Sequence, residues 1–195
     1  MTLEDLIYLY FLHRSEPVIS EYNKVLEMLK KHGYCVNMLK EICEKTGHNR
    51  RRDKERCDDA AGAMFNANIF NTTFNDFEDL YCFVSKYLFE SGMKGRLSCY
   101  DITKAIGFVL KEPIFPRQYV YIDAGAKQGA TYLLPRKIET QCFRIPTSEF
   151  TPYLGTMPSL FIEDFLCHFR DYLDKKNVAR IRISDVREDM VKLFS

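Results

Sequence analysis

The sequence predicts an all-α fold, a compact multi-helix domain with a possible helix-hairpin-helix element. Three observations predict it. Apolar residues recur three and four positions apart through most of the chain. Helix start and stop residues sit where those runs begin and end. There is no Rossmann glycine fingerprint, no parallel sheet is predicted, and Tyr119 to Ile122 is a single short extended run.

The elements follow in order. Thr2 and Asp5 form a capping pair before the stripe Leu3, Ile7, Tyr10 and Phe11. Pro17 opens a second helix with Val18, Tyr22, Val25, Leu26 and Leu29 on one face, and Gly33 stops it. A short helix spans Asn37 to Lys45. From His48 a charged stretch becomes apolar through Ala60 to Phe70 and reads as one helix with solvated first turns. Phe77, Leu80, Tyr81, Val84, Tyr87 and Leu88 make an amphipathic helix closed by Ser91 and Gly92. Ser98 and Asp101 read as a second capping pair, opening a helix through Leu110 that stops before Pro113. Ala124 to Leu134 reads as a helix weakened by Gly125 and Gly129. Gln141 to Pro158 reads as loop. Pro158 then starts a long helix through Leu173, and a last one follows Ser184. The expected organisation is one α-helical domain over 1–195, with lobes of roughly 1–75 and 76–195.

Composition narrows the class further. Of 195 residues 46% are hydrophobic, with 15 Phe, 12 Tyr and no Trp, and the net charge is +1. Intrinsic disorder needs the opposite balance. Nine Gly and seven Pro are too few for a collagen-like or low-complexity chain. No apolar run approaches the length of a membrane span, so no membrane partner is expected. Met1 to Ser15 carries Glu4 and Asp5 early and does not read as a signal peptide. Seven cysteines, an odd number, suit free buried thiols in a reducing cytoplasm.

The near-zero total hides a pattern. Residues 91–137 hold eight Lys or Arg and three Asp or Glu, and each flanking window is mildly acidic. The excess lies in Lys94, Arg96, Lys104, Lys111, Arg117, Lys127, Arg136 and Lys137. A phosphate backbone is attracted to such a stretch if its charges share a face. Inside it, Ser91-Gly92-Met93-Lys94-Gly95-Arg96-Leu97-Ser98 lies between two amphipathic helices. Two glycines three apart allow a tight hairpin, and backbone N–H groups at the next helix N-terminus can hold a phosphate.

These residues resemble the helix-hairpin-helix DNA-binding proteins and, more distantly, the DNA glycosylases of that superfamily. The resemblance covers about 40 residues. It implies DNA as partner, a place in DNA repair, and backbone-phosphate contacts by Gly92, Lys94, Gly95, Arg96, Ser98, Lys104 and Lys127. After the helix and a loop with Pro113 and Pro116, Asp123 stands where the family carries its catalytic Asp. Tyr100, Tyr119 and Tyr121 are then candidates to stack on a flipped base. The sequence departs from that pattern in several places. Gly92-Met93-Lys94-Gly95 has one residue more than the usual hairpin, and the spacing to Asp123 is longer. No lysine nucleophile opens the second helix, and no four-cysteine iron–sulfur signature is present. Leu97 to Leu133 also resembles a group of bacterial proteins to which no activity attaches. For Asp123 the plainer reading is a helix N-cap after an extended run. The alternative overall reading is a non-enzymatic helical protein-interaction module.

Other constellations read as structural. Cys35, Cys43, His48 and Cys57 lack a paired zinc knuckle, so neither metal nor cofactor is expected. Arg50 to Arg52, Lys54 and Arg56 alternate with Asp53, Glu55, Asp58 and Asp59, as on a solvated helix face. His168, near Glu163 and Asp164, reads as a satisfied, partly buried histidine. Gly125 to Gly129 lacks the P-loop spacing.

Overall fold

A computed structural model of the chain describes residues 3–13, 15–46 and 53–174. Helices dominate it: α1 (Leu3–His13), α2 (Ser15–His32), α3 (Val36–Lys45), α4 (Lys54–Asn66), α5 (Phe77–Glu90), α6 (Arg96–Val109), α7 (Ala124–Leu133), α8 (Thr151–Leu154), α9 (Ser159–His168) and α10 (Arg170–Leu173). The all-α class is therefore observed. Strands β1 (Tyr119–Tyr121) and β2 (Arg144–Pro146) form one antiparallel ribbon, with Val120 opposite Ile145. No helix among the described residues is long and apolar enough to cross a membrane. The helix expected after Ser184 lies outside the described residues.

The chain folds as two compact units, one of Pro17–Arg117 and one of Met1–Glu16 with Gln118–Ser195. The divisions fall after Glu16 and after Arg117, where the sequence reading puts one near residue 75.

The unit of 17–117 is built around α6. Every residue of that helix from Cys99 to Val109 is buried, including Asp101, Thr103 and Lys104. Helices α3 and α5 pack on it. The chain leaving α6 folds back, and Ile114 N–H donates to the Gly107 carbonyl at 3.0 Å. A Cβ on Gly107 would lie 2.3 Å from the Ile114 oxygen, so this close return admits only glycine. Side-chain caps set two helix starts. Asp53 accepts from the Glu55 and Arg56 N–H groups at 3.0 and 3.5 Å, and Asp76 from Asp79 N–H at 2.9 Å. Helix α4 ends at Asn66 rather than continuing to Phe70. Asn68 turns left-handed at φ 61°, which asparagine tolerates, and Ile69–Asn71 forms a 3-10 turn.

Between α2 and α3, Glu41 gathers two lysines and a histidine: Lys45 at 2.7 Å, Lys31 at 3.0 Å and His32 at 2.6 Å. Hydrogen bonds from Lys45 first, then Lys31 and His32, hold its carboxyl down at about 2.

The other unit rests on α7 against α9. A Cβ on Gly129 would meet the Leu166 carbonyl oxygen at 2.3 Å. The two glycines that weaken the helix pattern thus lie where α9 comes closest, since a Cβ on Gly125 would also sit 3.0 Å from the Cys167 sulfur. Val120, Ile122, Ala126, Ala130, Ile145, Phe150, Phe165 and Leu166 fill the core, joined by Leu6 and Tyr10 of α1. The Tyr10 ring stands edge-on to Phe165 and Phe169, and its hydroxyl donates to Asp164 at 2.9 Å. His168 lies 3.1 Å from the same carboxylate. The long helix expected after Pro158 is interrupted at Phe169, whose φ of −100° and ψ of 11° separate α9 from α10.

Candidate phosphate-binding turn

Helix α5 stops in a Schellman motif. Gly92 N–H donates to Phe89 O at 3.0 Å and Met93 N–H to Leu88 O at 2.8 Å. Gly92 takes φ +80°, a conformation that favours glycine, and this explains its place in the sequence. The motif turns the Gly92 and Met93 N–H groups back into α5. They do not point outward, as a phosphate-holding hairpin would require. The Gly92 carbonyl accepts a hydrogen bond from Arg56 Nη1 at 3.1 Å. The same guanidinium lies 3.5 Å from Asp53.

Past Gly92 the character changes. Lys94, Gly95 and Arg96 are exposed. Helix α6 opens at Arg96, three residues before the start expected from the Ser98–Asp101 pair. Its N-cap is Gly95, which has no side chain to offer, and its first turn holds no acidic residue. Ser98 lies inside that first turn, half-buried. Asp101 is 2% exposed and lies on the buried stretch of the helix beside Lys104, past the turn that a cap would serve. On the α5 side, burial pushes the Tyr81 phenol up to about 12 despite the charge of Arg96, so it stays neutral. The turn therefore carries the positive end of a helix dipole, two exposed cations, and the docked guanidinium of Arg56.

Other residues singled out from the sequence lie elsewhere. Lys104 is buried, with its ammonium 2.8 Å from Glu21 and 5.5 Å over the Tyr100 ring. It serves an internal ion pair and offers no surface cation. Tyr100 and Tyr121 are core residues, packed edge-on against Phe77 and Phe143, and are closed to a flipped base. Tyr119 is half-buried with the Arg144 guanidinium 4.6 Å over its ring. Asp123 directly precedes α7, and its backbone carbonyl accepts from Ala126 N–H at 3.0 Å. Lys127 donates to the Thr140 carbonyl at 2.6 Å.

The structure thus brings Gly92, Lys94, Gly95, Arg96 and Ser98 together. Asp123, Tyr119, Tyr121 and Lys127 belong to the other unit, because the division at Arg117 cuts the basic segment in two. Two more of its cations are engaged locally, Arg136 with Glu149 at 2.6 and 3.1 Å and Lys111 with Asn71 at 3.1 Å. Sequence reasoning missed Arg56 at the turn. Its alternation with acidic neighbours reads as a solvated ion-pair face, and nothing local signals a partner 36 residues away. Arg50 to Arg52 and His48 lie outside the described residues. Cys43 and Cys57 are buried, and Cys35 donates to the His32 carbonyl at 3.3 Å. Among the described residues no group of three or more His, Cys, Asp or Glu side chains is placed to hold a metal.

The fold and the turn define an all-α protein of two units, one of which presents a cationic helix start. No protein-family model matches the chain, and no curated protein or solved structure matches it.

Proposed function

We propose that the unit of 17–117 binds a nucleic-acid backbone, DNA in the first instance, through the turn between α5 and α6. The observation that carries this reading is the start of α6. A glycine N-cap and an acid-free first turn are flanked by exposed Lys94 and Arg96. A phosphate there gains helix-dipole attraction and two charge contacts, without reading any base. The reading is narrower than the whole basic segment. Lys104 is excluded by its burial, and Gly92 contributes shape rather than an N–H group. It also stops at binding, since Asp123 lies in the other unit and two of the three stacking candidates are core residues.

The test is fluorescence anisotropy with a labelled duplex at low salt. Wild type binds, and Lys94→Ala with Arg96→Ala weakens binding about tenfold or more, as expected for two lost phosphate contacts. Absence of wild-type binding at low salt ends this reading.

One observation favours the second reading, a helical protein-interaction module. From the segment before α5 onto the helix, the rings of Phe74, Phe83 and Tyr87 follow one another at 5.3 and 5.0 Å, half-buried, with Lys86 5.1 Å from the Tyr87 ring. Half-exposed aromatics of this kind are enriched at protein interfaces. Phe83→Ser would leave duplex binding intact under the first reading and weaken partner binding under the second.

A further inference from the structure

Helix α6 is covered within its unit by α3, by α5, by the returning segment at Ile114 and by α2. The first three approach closely, and at Gly107 the backbones touch. The fourth reaches α6 with long side chains. Glu21 places a carboxylate oxygen 2.8 Å from the Lys104 ammonium, and the Tyr22 ring stands edge-on to Phe108 at 5.2 Å. The Lys104 side chain is 7% exposed and that of Glu21 24%, with Asp101 4.0 Å away on the inner side.

We propose that α2 is a releasable strap over α6, with Glu21–Lys104 as its latch. A charge pair at a covered interface loses hydration while docked and regains it when the partner leaves. It therefore fixes where α2 sits more than it strengthens the attachment. The Tyr22 ring against Phe108 is the apolar part of this contact, and Val18, Val25 and Met28 of α2 are buried as well. At its far end α2 stops at Gly33, whose φ of +66° marks a sharp turn, and Lys31 and His32 remain tied to Glu41 there. Helix α2 can thus lift about that end while α3 stays in place. Lifting uncovers Lys104 and Phe108 and leaves the α5–α6 and Gly107–Ile114 contacts intact. Such an opening lies below global unfolding in free energy.

Hydrogen exchange followed by mass spectrometry on the full chain at neutral pH tests this. In wild type, amides of 18–32 exchange before those of 99–109. Glu21→Gln, a near-isosteric change at a partly exposed site, leaves the covered Lys104 charge without its partner and speeds exchange over 18–32 by about tenfold, with 99–109 still exchanging later. Two results overturn the proposal: α2 and α6 exchanging together in wild type, or no change over 18–32 in Glu21→Gln.

Discussion

The two units solve one packing problem with different materials. Each buries a helix carrying a glycine against a carbonyl oxygen 2.3 Å from where a Cβ would stand. In the unit that holds α7 and α9 the oxygen belongs to Leu166, inside α9, so two helices are fixed at close range along a face of Gly125, Ala126, Gly129 and Ala130. In the unit of 17–117 it belongs to Ile114, in the segment leaving α6, so a loop is fixed to a helix. The first contact is helix on helix and has little room to adjust. The second lies on irregular backbone that can shift. The comparison also separates the charged residues: α6 buries a lysine and an aspartate in its unit, whereas the covered face of α7 is small and apolar.

The largest expected effect follows from the rigid contact. Gly129→Ala forces α7 and α9 apart and destabilises by about 3 kcal/mol, the upper range for overpacking. Urea unfolding followed by circular dichroism measures it. Gly107→Ala meets the same nominal clash but against a segment outside the helices, and the alanine gains helix propensity, so the cost is smaller, about 2 kcal/mol. Equal losses for the two variants would break the comparison. Asp53→Ala removes the α4 cap that orders the neighbourhood of Arg56 and costs about 1 kcal/mol in the same assay.

The smallest effect is a pH dependence confined to the unit of 17–117. The Glu41 carboxyl is held below its usual value of 4.5, at about 2, so its contribution to stability is full above pH 4.5 and is lost as pH falls toward 2. Glu41→Gln should therefore be less stable than wild type at pH 7, with the gap closing between pH 5 and pH 2. A gap independent of pH would remove the Lys31–His32–Lys45 cluster as its cause.

The sequence reveals the helices more readily than their surroundings. The stripes of α2 and α5 give their helices to within about two residues, because period and cap are local signals. What it hides is non-local. Arg144–Pro146 is too short and too close to proline to show a strand period, and it becomes a strand through pairing with Tyr119–Tyr121. Lys104 reads as a phosphate contact and Asp101 as half of a capping pair, since a polar helical position gives no sign that another helix covers it. Gly125 and Gly129 read as weakness in a helix and serve as its packing surface. At the site, Lys94, Gly95 and Arg96 are legible as a basic glycine turn. The role of Gly92 as a helix stop is legible too, but it competes with the hairpin reading, and the hydrogen bonds to Phe89 and Leu88 decide between them.

The central functional claim is that phosphate contact belongs to the turn before α6, and not to the whole basic stretch from 91 to 137. The slope of log binding constant against log salt, measured on one duplex, tests it most directly. Lys94→Ala with Arg96→Ala should make the slope shallower by about 1.8, near 0.9 for each lost contact, while Lys127→Ala with Lys137→Ala in the other unit leaves it unchanged. An unchanged slope for the first pair and a shallower one for the second would contradict the account.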